Sequence, residues 1–202
     1  WAMTTKGQVW WTLPASAGFP ILGPFIACGF YEISRRLEAG EPLVASEVFG
    51  VIFRQKDRQI PAIAAVIVVY FLFWNFLSHM IFALFLGNAV MTNVSSSLAV
   101  FLSPQGLAML GFGTLVGAAF ATLLFCLTVV SLPMLLDREV DFVTAMLTSF
   151  ALVRENPGVM LGWGMLIATS LFVAMLPGFL GLFLVLPLFG HASWHLYRRA
   201  IT

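Results

Sequence analysis

PAIAAVIVVYFLFWNFLSHMIFALFL, Pro61 to Leu86, decides the fold. Its 26 residues carry no Asp, Glu, Lys or Arg, and a membrane-spanning helix needs about 20 apolar residues. The charge-free run around it extends from Gln59 to Leu136, 78 residues, long enough for two spans. Asn156 to Tyr197 is a second such run of 42 residues, again enough for two, and Gly7 to Tyr31 a third of 25 residues, enough for one. Over all 202 residues, 60% are hydrophobic and 9% charged, with a mean hydropathy of +0.98. Soluble domains carry roughly a quarter charged residues, so that class is excluded. The reading is an all-α, polytopic membrane helical bundle with five visible transmembrane segments and two interfacial amphipathic elbow helices, as one integral membrane domain over 1–202.

The segments can be placed from their punctuation. Segment A runs from about Trp11 to Ile33 and is interrupted by Pro14, Pro20 and Pro24. Proline removes a backbone donor, and freed carbonyls in lipid need partners from protein or water. Segment A is therefore a kinked span or a re-entrant segment, with Trp10 and Trp11 as interfacial anchors. In the polar connection Glu32 to Gln59, Ser46 is expected to cap a short elbow whose apolar residues are Val48, Phe49, Ile52 and Phe53. Segment B starts at Pro61, a favoured first helical position. Segment C is opened by Ser103-Pro104 and closes near Pro133. A second elbow, capped by Asp141, carries the stripe Phe142, Val143, Met146, Leu147, Phe150 and Val153. Asn156-Pro157 caps and opens segment D, and Pro177-Gly178 turns it into segment E, which ends at Arg198-Arg199.

Charge sets the orientation. The A–B connection, the C–D connection and the C-terminus hold every charge except Lys6. They share one side if all five segments span, and basic residues mark that side as cytoplasmic. The chain also echoes itself: Gly18, Pro24, Tyr31, Ile33, Arg35 and Arg36 match Gly181, Pro187, Trp194, Leu196, Arg198 and Arg199 at one constant offset. Internal repeats of this kind occur in transporter folds and as remnants of duplication. Trp1 is not an initiator Met, so either Met3 is the start or an N-terminal piece precedes it.

Three stretches carry a resemblance. Leu132-Pro133-Met134-Leu135-Leu136-Asp137-Arg138-Glu139-Val140-Asp141-Phe142-Val143-Thr144-Ala145 resembles the signature of an uncharacterised proteobacterial integral membrane family, catalogued as a domain of unknown function. Gly23-Pro24 with Tyr31 to Glu38, and Gly190 to Arg199, are similar to its two other marks. The resemblance implies a six-span protein of the bacterial inner membrane, with one further span before Trp1. It carries no activity, substrate or catalytic residue. Some relatives bear a cytochrome oxidase label, but a haem–copper core needs more histidines than His79, His191 and His195.

The candidate sites are few. Asn75, Ser78 and His79 are polar residues in the middle of segment B, the default place for a function inside a membrane. Ser78 and His79 point about 100° apart on a helix, so they cannot pair as nucleophile and base. A cytoplasmic rim gathers Arg35, Arg36, Asp137, Arg138, Glu139, His191, His195, Arg198 and Arg199, together with Glu32 and Asp141. His191 and His195 share a face, but their helix offers no Cys, Asp or Glu to complete a zinc set. The rim either neutralises itself or binds anionic lipid headgroups or a partner. Gly113, Gly117 and Ala121 recur every four residues on C, as do Gly158 and Gly162 on D, a spacing that lets helices approach closely. The bland reading packs C against D, and the sharper one is a docking face. No cofactor, metal or nucleic-acid partner is expected.

Three functions follow as expectations, of which the third, an enzyme acting on lipid at the cytoplasmic rim, rests only on His191, His195 and the nearby carboxylates. The first is a non-catalytic accessory, assembly or stabilising subunit of a larger, bioenergetic membrane complex, in contact with lipid and other subunits. The alternative is a transporter or channel for a small neutral or lipidic solute. A transporter should have a polar cavity lined by Asn75, Ser78, His79 and broken backbone of segment A.

Overall fold

The structure is a computed structural model that describes residues 12–55, 57–87 and 98–201. Trp10, Trp11 and most of the Asn- and Ser-rich connection between B and C lie outside the described residues, and so does the side chain of Ile52.

Segment A is one helix, α1 (Thr12–Ala39), which continues through all three prolines. A re-entrant break in it is thereby excluded. It stops where Gly40 adopts a left-handed φ of +67°, with Glu41 N–H reaching the carbonyl of Arg36 at 2.9 Å and Gly40 N–H that of Leu37 at 3.3 Å. This doubly bonded stop depends on glycine at the left-handed position. The first elbow is α2 (Ala45–Gln55). It begins one residue before Ser46, because the carbonyl of Val44 already accepts from Glu47 and Val48, so Ser46 is not its cap.

Segment B is α3 (Ile60–Leu86), with proline in its first turn as expected. A 3₁₀ turn at Leu98–Leu102 precedes α4 (Pro104–Thr128), whose N-terminus is capped by Ser103 Oγ accepting from Gly106 N–H at 3.0 Å. After a bend, α5 (Ser131–Asp137) carries Pro133. The second elbow is α6 (Phe142–Glu155), capped by Asp141, whose carboxylate accepts from Thr144 N–H at 2.9 Å. Segment D is α7 (Pro157–Met175). Asn156 does not cap it; its amide instead donates back to Leu152 O, on the helix it follows. Segment E is α8 (Leu182–Ile201), reached through a turn with Gly178 at φ +62° and Phe179 at φ +68°.

Among the described residues, three helices are long and apolar enough to cross a membrane: Ile60–Leu86, Pro104–Asp137 and Pro157–Met175. They pack in sequence-adjacent pairs, and α1 sits centrally against α2, α3, α5 and α8. Helices α1 and α8 run parallel, because Phe30 meets Gly190 and, further along both, Glu38 meets Trp194 and Arg198. The mates of the internal echo, Tyr31 and Trp194, stack with ring centroids 6.5 Å apart.

The core lies toward the charged end of the bundle. Cys28, Ile60, Ile63, Val130, Trp194 and Tyr197 are fully buried there, and α5 and α6 close over them. Away from that end the helices turn large apolar residues outward, such as Phe76, Leu115 and Phe172, each more than 65% exposed. Lipid is as apolar as these side chains, so no solvation force drives them inward.

Candidate functional site

The rim assembles from the ends of α1, α5 and α8, with α2 beside them. Glu32 is 3% exposed and accepts two bonds from Arg35, at 2.8 and 3.1 Å, and one from Arg36 Nε at 2.8 Å. A buried carboxylate needs this pairing, since an unpaired charge there is very costly. Arg35 also meets Glu41, and Arg36 meets Glu47. Glu38 takes Trp194 Nε1–H at 3.0 Å and Arg198 Nε at 3.1 Å. The bond from Trp194 is the main cause holding the Glu38 carboxyl below the usual carboxylate range. Asp137 accepts from the Tyr197 hydroxyl at 2.7 Å and lies 3.6 Å from Arg198. Arg58 and Glu139 pair at 2.9 Å and tie the two charged connections together.

The structure thus brings Arg35, Arg36, Asp137, Arg138 and Arg198 to one end of the bundle, as charge patterning implied, and resolves much of the rim into acid–base pairs. The two rim histidines have different surroundings. His191 Nδ1 is 2.8 Å from Ser34 Oγ, with its ring edge-on to Phe30, whereas His195 is exposed. Among the described residues, no three of His, Cys, Asp and Glu gather to hold a metal, and both cysteines are free and buried. Hydrogen bonds from Thr144, led by its hydroxyl, hold the exposed Asp141 carboxyl low as well.

The mid-span polar residues turn onto their own helix. Asn75 Nδ2 donates to Phe71 O at 2.9 Å, Ser78 Oγ to Asn75 O at 2.8 Å, and His79 Nδ1 lies 2.7 Å from that same oxygen. His79 is exposed on the outside of α3, and Ser78 lines the cleft between α3 and α4. The cavities beside α1 are apolar rather than a polar path. One of them, a groove of about 580 Å³, lies between α1 and α8 and is lined by Ile26, Phe30, Phe183, Leu186 and Phe189.

The small residues find a different neighbour from the one expected. Gly113 faces Ile81, and a Cβ on Gly117 would sit 3.0 Å from the Trp74 ring, so C packs against B and not D at these positions. Ala121 is exposed beside the same cleft. Gly158 and Gly162 face open space. The glycine of α7 that packs on α4 is Gly164, under the Phe125 ring, and Gly190 lies against Phe30. The sequence reading gave neither a packing role: Gly190 belongs to no four-residue series, and the pair Gly164 and Ala168 was passed over. Ser149 escaped it too. It is fully buried, and its role is in the backbone of a helix 19 residues earlier.

The model of a family described as "Predicted integral membrane protein (DUF2189)" matches residues 12–137, more than half of the chain. No curated protein and no solved structure matches.

Proposed function

The chain belongs to this family of predicted integral membrane proteins, and from that premise we propose that it is a non-catalytic accessory, assembly or stabilising subunit of a larger bioenergetic complex in the bacterial inner membrane. Its C-terminus faces the cytoplasm in this reading. One observation carries it: α7 keeps Gly158 and Gly162 open on its outer face, beside Val159 at 71% and Met165 at 68% exposure. Small residues one turn apart let a second transmembrane helix approach closely. The groups that chemistry or permeation would need are engaged instead. Asn75, Ser78 and His79 bond within α3, and Glu32, Glu38 and Asp137 hold Arg35, Arg36 and Arg198.

The test is mild-detergent extraction of native membranes, native gel electrophoresis and mass spectrometry of the band holding this chain. Migration with a large complex at fixed stoichiometry is expected. Gly158→Leu with Gly162→Leu should release the chain from it without lowering its own unfolding temperature. Migration of the unaltered chain alone would sink the subunit reading. The alternative would then lead: a transporter or channel for a small neutral or lipidic solute, supported by the apolar groove beside α1 and α8.

A further inference from the structure

The second elbow has two apolar faces. Ala145, Ser149 and Val153 are buried against the bundle. Val143, Leu147 and Phe150 are 49%, 63% and 40% exposed, and Arg154 follows them, also exposed. The spacings of four, three and four place these residues on one face of the helix. What covers that face is set by the next element. Pro157 opens α7 three residues after Arg154, and α7 is apolar and long enough to cross the membrane. The end of α6 therefore lies at the depth where the hydrocarbon begins. An arginine there extends its charged head to the phosphates while its stem stays on apolar surface.

Among the described residues, Arg154 and Arg199 are the arginines without an ion pair, and of the two only Arg154 continues the exposed apolar face of α6. Arg35, Arg36, Arg58 and Arg198 are each held by a carboxylate. Arg154 makes no ion pair among the described residues. Glu155, its neighbour, points about 100° further round the helix. We propose that this outward face of α6 is a binding site for an anionic phospholipid, with Arg154 holding the headgroup phosphate and Val143, Leu147 and Phe150 seated among the acyl chains. The guanidinium presents its donors in a fixed fork that matches phosphate oxygens. The lipid-binding role weighed for the rim thus moves from the paired Arg35, Arg36 and Arg198 to the elbow.

The experiment uses the full chain in nanodiscs of phosphatidylcholine, with and without one quarter of phosphatidylglycerol, and native mass spectrometry of lipid retained after detergent extraction. Phosphatidylglycerol should be retained preferentially and raise the unfolding temperature. Arg154→Gln should weaken that retention about fivefold, the effect of one basic residue at an anionic surface. Arg154→Lys keeps the charge but not the fork, and should keep a reduced preference that lies between those of the unaltered chain and Arg154→Gln. Arg58→Gln should keep the full preference, since Arg58 is already engaged by Glu139. Equal retention of the two lipids by the unaltered chain overturns the proposal, as does full preference in Arg154→Gln. Inorganic phosphate that reproduces the shift in phosphatidylcholine discs would identify a free anion as the ligand and overturn the lipid assignment.

Discussion

The hydroxyl of Ser149 is inserted into the backbone ladder that leads to Val130. It accepts the Val130 N–H at 3.2 Å and donates to the carbonyl of Cys126 at 2.7 Å. In an unbroken helix Val130 would bond Cys126 directly. Three residues on, Pro133 has no N–H to give to the carbonyl of Val129. The bend between α4 and α5 therefore has two named causes, an inserted side chain and a proline. It matters to the rim, because α5 carries Asp137 to Tyr197 and Arg198. Ser149→Ala should cost about 1–3 kcal/mol, the range for stranding a buried donor and acceptor. Thr148→Ala, which loses only a bond to Thr144 O on its own helix, should stay within about 0.5 kcal/mol. Thermal unfolding of the two variants in one detergent checks the difference.

Glycine positions give a second contrast. A Cβ on Gly190 would lie 2.8 Å from Phe30 Cβ and 2.9 Å from Phe30 Cγ, at the contact of the parallel pair α1 and α8. Phe30 cannot yield far so close to its own backbone, so Gly190→Ala should destabilise by about 1–3 kcal/mol through overpacking. Gly158→Ala meets nothing within 4 Å and removes a flexible residue from a helix. It should raise stability by up to about 1 kcal/mol. Equal effects of the two substitutions on unfolding temperature would contradict the packing described.

How much of this was legible follows from what each signal encodes. Charge-free runs encode length and solvent, so α3, α4 and α7 were found within a few residues. The charged connections had to share a side, and Glu38 with Arg198 and Arg58 with Glu139 meet accordingly. Periodicity encodes a face but not the neighbour that fills it. Gly113 and Gly117 were read as a packing face, yet their partners Ile81 and Trp74 belong to the preceding span. The elbows misled in the same way. Val48 and Val153 turn inward while Phe53 and Leu147 turn outward, because a helix between core and lipid has two apolar sides. Asp141 was legible as a cap, whereas Ser46 and Asn156 lost that role to a turn starting one residue early and to a bond backward along the chain. Ser149 had no local signal, since its partners lie 19 and 23 residues away.

Glu38 should make stability depend on acidity. Its carboxyl is held low chiefly by the bond from Trp194, with Arg198 assisting. A group whose pKa is depressed on folding stabilises the folded state above its unfolded value, about 4.3 for Glu, and loses that contribution as pH falls through the lower folded value. The unaltered chain should therefore lose unfolding temperature between about pH 5 and 3 more steeply than Glu38→Gln. Trp194→Phe keeps the ring over Tyr31 and removes the N–H, so it should flatten the same window and cost about 1 kcal/mol at neutral pH. Matching acid profiles for all three chains would show that this bond carries no linkage.

His79 should be dispensable. Its Nδ1 is spent on the carbonyl of Asn75 one turn back, and the residue is exposed. An intramembrane histidine in a permeation path would line a cavity, yet the cleft between α3 and α4 is lined by Trp74, Ser78, Ile81 and Gly113 without it. Leucine at this position meets lipid with no polar group to satisfy, so His79→Leu should leave unfolding temperature unchanged or slightly raised. It should also leave migration on the native gel as it was. Asn75→Leu removes a donor that serves only Phe71 O of the same helix and should behave alike. Loss of complex migration in His79→Leu, with unfolding intact, would place this residue at the subunit contact. Loss of solute flux in reconstituted vesicles would revive the transport reading, with His79 at its centre.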